Sequence, residues 1–419
     1  MIVKVLLTSI AFPPKRDPES LQVAKYCSFL KRDNRIALSV ITSKDPTLFM
    51  EPDASLSHYG EGIDVATTLN IVENRYINYL IRKVNPAWLQ RPDSKFSFWW
   101  QSQRAIASIK DKPDILYSRS YPVSSTLLAL QLKKKWDIPW VLHLSDPWAQ
   151  SSSSFLSPAT KFTESARVWN KAQELLCFSL ADRISLTSQK TIDLYAKIYP
   201  QFREKFVYYP NVFDDELIQS NPYARGKKLK IVYNGGFGDA RSPLPYLEAI
   251  ASLWKAHQPE IGNAIEFLFT GEMTRANTEI FDRYRHISWI NHRGVIAYRD
   301  VVSMQREADI LVNIDSDIPD PNHAVFFPSK LLDYMVAQRR IIAITNRHST
   351  THDVVHGKLG DCFSFTEVKE LATFLYHVYQ RYLQNDAAFF TKSEVGSEYS
   401  AKFNASRLVD LFTHLAKIG

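Results

Sequence analysis

Short β-branched and aliphatic runs alternate with amphipathic stretches along most of the chain, the pattern of repeated strand–helix units. In the first half, residues 1–10 predict a buried strand, 19–31 a helix and 36–42 a second strand. Residues 115–118 read as a strand, about 123–135 as a helix and 140–144 as another strand. A long helix over about 163–180 leads to a strand at 183–188 and a helix opening near Gln189. The same grammar restarts at 229–236 and continues through 265–271, 287–289 and 308–314. Apolar runs joined by helices predict parallel sheets covered on both faces, so the fold class is α/β.

The turn-rich stretch 209–215 and the polar stretch 221–228 separate the two halves. This predicts a first Rossmann-like domain over 1–210, a linker over 211–228, a second Rossmann-like domain over 229–395 and a C-terminal helix over 396–419 that packs back on the first domain. Two doubly wound domains facing a central cleft bind ligands outside the carboxyl ends of their strands. One segment in the second half has that character: Phe326-Phe327-Pro328-Ser329-Lys330-Leu331-Leu332-Asp333-Tyr334-Met335. Pro328 and Ser329 are helix-start residues, Leu331, Leu332, Met335 and Val336 recur at helical spacing, and 341–345 reads as the next buried strand. Free amides at the helix start attract an anion such as phosphate, and Lys330 adds a full charge. Asp333, one turn on, could accept hydrogen bonds from a ribose diol. The plainer alternative makes Ser329 a cap and Asp333 a first-turn acid.

At 419 residues and 45% hydrophobic, the chain has room for two or three full cores. No run of about 18 apolar residues exists to span a bilayer, and the first strand lacks the basic-then-apolar order of a signal peptide. A cytoplasmic location is expected. Three cysteines, Cys27, Cys177 and Cys362, show no metal-ligand spacing and read as reduced thiols with no zinc. The balance of 51 basic against 44 acidic residues gives +7, which favours anionic partners. Between residues 71 and 112, eight basic side chains face three acids, Glu73, Asp93 and Asp111, and interleave with Tyr76, Tyr79, Trp88, Phe96, Phe98, Trp99 and Trp100. That mixture marks peripheral membrane contact or a lipid-linked acceptor, or else a helical face whose aromatics are core; nucleic acid is the weakest reading.

In order along the chain come Phe12-Pro13-Pro14, Pro113-Asp114-Ile115-Leu116-Tyr117, His143-Leu144-Ser145-Asp146-Pro147-Trp148, Ala181-Asp182-Arg183-Ile184 and Pro210-Asn211-Val212-Phe213-Asp214. Tyr233-Asn234-Gly235-Gly236-Phe237-Gly238 with Arg241, Phe269-Thr270-Gly271-Glu272 and the 328–335 segment follow. In this order they resemble the retaining glycosyltransferases of the GT-B fold (group 1, or family 4-like), which include sucrose synthases, mannosyltransferases and bacterial surface-polysaccharide enzymes. The resemblance implies transfer of a sugar, with retention, from a nucleotide-diphosphate sugar held by the second domain to a saccharide or lipid-linked acceptor held by the first. It implies that Gly235, Gly236 and Gly238 let backbone amides approach the diphosphate. Arg241 and Lys330 would neutralise it, with Ser329 and Asp333 completing the donor site. On the acceptor side it points to Phe12, His143, Ser145, Asp146 and Trp148, with Asp146, Arg241 and Lys330 as the catalytic candidates. The nucleotide sugar is a co-substrate, and no cofactor is implied.

The chain departs from that pattern in places. Where relatives pair two glutamates eight positions apart, it has Val325 and Asp333; where many carry His-Asp, it has Ser145-Asp146. His143 stands two residues earlier on the same side of its strand, as an acceptor-side group or a core residue. Asp315-Ser316-Asp317 resembles a metal-binding Asp-x-Asp triplet, but the positive groups already named make a metal unnecessary, and no metal is expected. A nucleotide-sugar epimerase and a catalytically silent subunit of a polysaccharide assembly are the alternatives.

Overall fold

The computed structural model describes residues 2–418 except 45–50, 73, 150–161, 319, 321–322 and 393–395. Glu73 of the basic, aromatic stretch therefore lies outside the described residues. The chain forms two compact units, one of the described residues up to Asp215 together with Ser397 onward, the other spanning Glu216 to Gly396.

The sheet of the first unit contains β1 (Val3–Thr8), β2 (Ile36–Ser43), β3 (Asp64–Leu69), β4 (Ile115–Ser120), β5 (Trp140–Leu144), β6 (Arg183–Leu186) and β7 (Phe206–Tyr208). All pairings are parallel, in the order β3-β2-β1-β4-β5-β6-β7. β4 and β5 are buried along their whole length because both sheet faces carry helices. The helix α1 (Pro18–Leu30) opens at Asp17, whose carboxylate accepts from the amides of Glu19 and Ser20, with proline in the first turn. α1 and the C-terminal helix Ala401–Ile418 share one apolar cluster with β1: Leu7, Val23 and Tyr26 pack with Leu408, Phe412 and Leu415. Phe412 meets the edge of Tyr117 at 5.3 Å between ring centres. On this unit also lie α2 (Arg75–Val84), α3 (Ser124–Trp136), α4 (Glu164–Leu180) and α5 (Gln189–Ile198), the last three packing with Trp140, Leu142 and Trp148 in a second cluster.

The second unit is built the same way from β8 (Leu229–Asn234), β9 (Ile265–Thr270), β10 (Ile290–His292), β11 (Ile310–Ile314), β12 (Arg340–Ile344) and β13 (Gly360–Phe363). They are parallel, in the order β10-β9-β8-β11-β12-β13. α6 (Leu244–Ile261), α7 (Tyr298–Glu307), α8 (Lys330–Ala337), α9 (Thr350–Val355) and α10 (Val368–Leu383) are its main helices. The direction of winding reverses between β8 and β11, which makes the loops leaving those two strands the natural ligand position.

Two expectations shift. The strand expected at 287–289 lies at Ile290–His292: Ile287 and Trp289 are buried, but they plug the core from a turn, with Trp289 Nε1 donating to the Gly262 carbonyl at 2.6 Å. Bulk hydrophobicity there marked anchors and not the ladder. The stretch 211–228 is packed along much of its length. The Val212 amide donates to Gln22 Oε1 at 2.6 Å in the first unit; Asn221 Nδ2 donates to the Ala337 carbonyl at 2.9 Å and Tyr223 stacks on Phe390 in the second.

Candidate functional site

β8 ends at Asn234 and the chain turns through Gly235, whose φ of +142° only glycine adopts without strain. Gly271, leaving β9 with φ +119°, packs against that turn so closely that a β-carbon on it would sit 2.3 Å from the Gly235 carbonyl oxygen. Backbone therefore meets backbone where two strands end, and the space in front of Gly235 is kept for something else. A β-carbon on Gly235 would stand 3.0 Å from Lys330 Nζ.

Lys330 is the first residue of α8, and its ammonium lies 4.2 Å over the Tyr233 ring. Nζ is buried and has no hydrogen-bond partner, and the same is true of Arg241 Nε. Arg241 Nη1 donates to the Gly236 carbonyl at 3.3 Å. Burial first, and then the Arg241 charge, hold the Lys330 ammonium well below the usual lysine range, while Asp315 opposes the shift. Two cations thus converge with donor capacity unspent, an arrangement that costs several kcal/mol unless an anion joins it. Asp315 does not fill that role. Its carboxylate already accepts from Asn313 Nδ2 at 2.8 Å and Thr345 Oγ1 at 2.6 Å.

Around this centre the other donor-side candidates divide. Gly236 and Gly238 are exposed; Gly236 is tied in through Arg241, whereas a β-carbon on Gly238 would meet nothing within 4 Å, so close approach does not require glycine there. Ser329 does not cap α8. It already has helical backbone angles (φ −58°, ψ −26°), and its hydroxyl makes no capping bond. A capping hydroxyl needs an extended residue; here the turn closes through Leu331 N to Pro328 O and Leu332 N to Ser329 O instead. Asp333 is half-buried one turn along and accepts from the Tyr298 hydroxyl at 3.3 Å, a partner on α7 that the sequence did not single out. Val325 is buried, consistent with an apolar residue at a position where an acid was looked for.

The Asp315-Ser316-Asp317 triplet is not a cluster of ligands: Asp315 is held by Asn313 and Thr345 while Asp317 is exposed. Among the described residues, the side chains that do come together with metal-compatible atoms are His352, His356 and Cys362, within 4.8 Å of one another. Sequence spacing does not announce this group: His352 on α9 and His356 just past its end stand by Cys362 of β13, and the cysteine is a free thiol. Its thiol, pushed up to about 12 by burial and by Asp315 and Asp361, is protonated at neutral pH.

In the first unit the acceptor-side candidates separate into buried and accessible ones. His143 is fully buried; Arg119 Nη2 lies 3.2 Å from its Nε2 and Ser185 Oγ 2.8 Å from its Nδ1. Both ring nitrogens are thus engaged, and burial with the Arg119 charge keeps the ring neutral. Phe12 and Trp148 are core residues, 3% and 1% exposed, so neither presents a ring to a ligand. What remains is Ser145, half-buried, and Asp146, exposed, on the loop leaving β5. That loop is bolted down: the Trp148 amide donates to Tyr195 Oη at 2.8 Å, Trp148 Nε1 to Asn170 Oδ1 at 2.7 Å, and the Ala149 amide to buried Glu174 at 2.9 Å. Although Asp146 keeps accessible surface, the protein packed around it strips water from the charged form and raises its carboxyl to about 6. Tyr121, 41% exposed at the end of β4, feels the Asp146 charge and joins it at the same sheet end.

Beneath that loop lies a pair the sequence reading missed. Arg119 and Glu19, 1% and 6% exposed, bridge at 2.9 Å; Glu19 also accepts from the Ser145 hydroxyl, and Arg119 stacks over Tyr26. Burial raises Glu19 to about 7 against the opposing pull of Arg119. The strand expected at 115–118 runs on to Ser120 and carries Arg119 into the core, where an unpaired charge is untenable; the sequence reading stopped one residue short of it.

Sheet order, the two repeated α/β units and the glycine turn after β8 together define the GT-B fold. No protein-family model matches the chain, and no curated protein matches it by sequence. Solved structures do. Sucrose-phosphate synthase from Thermosynechococcus elongatus aligns over 100% of both chains with a TM-score of 0.66 at 14% identity. A putative UDP-N-acetylglucosamine 2-epimerase from Listeria monocytogenes aligns over 100% of this chain and 98% of its own (TM-score 0.64, 11% identity). HepE from Anabaena, in complex with UDP-glucose, aligns over 99% and 98% (TM-score 0.58, 14% identity). At these identities the likeness is one of fold.

Proposed function

We propose that the chain is a retaining glycosyltransferase that takes a sugar from a nucleotide-diphosphate donor, with UDP-sugars the first to test. The observation that carries this reading is the pair of converging cations, Lys330 and Arg241, with unspent donors beside a glycine turn. Their charge is complementary to a diphosphate, and it is worth more as negative charge grows on the departing group. In the reaction the bond from the anomeric carbon to the diphosphate oxygen breaks. The acceptor hydroxyl forms the new glycosidic bond on the same face, and its proton passes to the departing diphosphate. Asp333 holds the ribose, and Asp146 orients the acceptor hydroxyl from the first unit. Lys330 and Arg241 supply the neutralisation for which other transferases use a metal. The acceptor is a saccharide or lipid-linked saccharide in surface-polysaccharide synthesis at the inner face of the cell membrane.

The test is mutational. Arg241→Ala and Lys330→Ala lose donor binding by calorimetry, whereas Asp146→Asn keeps binding and loses turnover; wild-type turnover in all three sinks the assignment. Because a fold neighbour is described as an epimerase, donor-only chemistry is the second reading, and product formed without acceptor would favour it.

A further inference from the structure

The helix α2 presents its apolar side to solvent. Tyr76, Ile77, Leu80 and Val84 are 81%, 50%, 61% and 85% exposed, and at about 100° per residue they fall on one side of the helix. The half-buried residues are instead Asn78 and Ile81. This inverts the usual arrangement, in which a surface helix turns its apolar stripe to the core. The helix is nonetheless well started: Asn74 Oδ1 accepts from the amides of Tyr76 and Ile77. Neighbouring residues extend the apolar surface. The Val72 amide donates to Ser97 Oγ at 2.9 Å and Gln101 Nε2 to the Asn70 carbonyl at 2.6 Å, which brings Val72, 67% exposed, beside the turn carrying Trp100, 63% exposed. Trp88, just after α2, is 59% exposed.

Basic side chains outnumber acids along this surface, eight to three between residues 71 and 112. Arg82, Lys83, Arg104 and Lys110 are exposed. The sole acid between residues 74 and 110 is Asp93, which is buried and accepts from Ser124 Oγ at 2.7 Å and the Ser124 amide at 3.0 Å. We infer that the α2 face, with Val72, Trp88 and Trp100, docks this protein onto an anionic lipid bilayer. The exposed aromatics of this face are interleaved with aliphatic Ile77, Leu80 and Val84, which suit acyl chains and offer bases nothing to stack on. An excess of exposed cations complements anionic headgroups, and tryptophan rings suit headgroup depth. Segregation of apolar and basic residues on one short helix, without a spanning length, describes an interfacial helix. No described helix is long and apolar enough to cross a membrane.

This inference does not need the donor assignment. The experiment is co-sedimentation of the full chain with vesicles of equimolar phosphatidylglycerol and phosphatidylcholine, and with phosphatidylcholine alone. Wild type should pellet with the anionic vesicles and be released by salt. The triple variant Tyr76→Ser/Leu80→Ser/Val84→Ser should partition at least tenfold less, with thermal unfolding unchanged because all three side chains are exposed. Arg82→Glu/Lys83→Glu should lose the preference for anionic vesicles. Wild type left in the supernatant, or a triple variant that pellets as wild type does, overturns the inference. So does binding to single-stranded DNA in place of vesicles. UDP calorimetry on the same samples keeps the two questions apart: absent UDP heat with intact vesicle binding would count against the donor site alone.

Discussion

Replacing Lys330 with methionine should make the unliganded protein more stable while weakening its hold on a nucleoside diphosphate. The buried ammonium has no hydrogen-bond partner, and Arg241 adds repulsion. Against this stand the Tyr233 ring at 4.2 Å and Asp315, of which the ring is worth about 2 kcal/mol when desolvated. Several kcal/mol of burial cost less that offset leaves about 1–3 kcal/mol to be recovered by a neutral side chain of similar length. For a unit this size that is about 2–4 °C in Tm per kcal/mol. Binding moves the other way. A phosphate about 4 Å from Nζ gains about 4 kcal/mol at an effective dielectric of about 20; allowing for lost hydration, about 2–3 kcal/mol, or about 30- to 150-fold in UDP affinity, should disappear. There is also a proton signature. The folded lysine titrates below its unfolded value of about 10.4, so between the two the unfolded chain holds more protons and stability rises with pH across that window. A bound diphosphate restores the ammonium, so UDP binding at alkaline pH should take up a proton in wild type and not in Lys330→Met. Calorimetry in buffers of different ionisation enthalpy measures this directly. Equal proton uptake in the two proteins, or a less stable apo variant with unchanged UDP affinity, would refute the reasoning.

Four further outcomes follow from the geometry. Gly271→Ala should destabilise the second unit by several kcal/mol, read by urea unfolding, since its β-carbon lands on the Gly235 carbonyl and φ is left-handed. If the Asp146 carboxylate is the active form, kcat/KM should rise with pH through about 6, and Asp146→Asn should remove that limb from the pH profile along with most of the turnover. Asp333→Asn should weaken UDP binding but leave pyrophosphate binding nearly unchanged, because it lies a turn away from the cations. Treatment with EDTA should leave transfer activity in place; complete loss restored by Mn²⁺ would contradict it.

How much of this could be read from the chain follows from what each residue type reports. Buried parallel strands such as β5 and β12 are continuous apolar runs, and they stand out. Edge strands do not: β3, with Asp64 and Val65 exposed, has no periodicity to betray it, and β13 is a four-residue strand containing Gly360 and Asp361. Of the residues proposed for a donor, Lys330 and Arg241 could be singled out because a cation at a helix start and one after a glycine turn are chemically pointed. That Lys330 Nζ and Arg241 Nε would both be buried without a hydrogen-bond partner was not, since burial of a single atom is a tertiary property. Among the acceptor-side candidates, Phe12, His143 and Trp148 turned out to be buried. Phe12, His143 and Trp148 look functional as a motif, yet an aromatic or imidazole in a strand or its exit loop is equally suited to filling core, and only packing decides. Glu19 and Arg119 lie 100 residues apart, too far for any local pattern to pair them.

The C-terminal helix Ala401–Ile418 completes the core of the first unit, while everything from Glu216 to Gly396 belongs to the second. During synthesis the first sheet must therefore wait, with the surfaces of Leu7, Val23 and Tyr26 uncovered, until the whole second unit has emerged. The second can fold first from its own contiguous sequence. A released chain truncated after Gly396 should accordingly carry a protease-resistant second unit behind a protease-sensitive first one, the reverse of their order in the sequence.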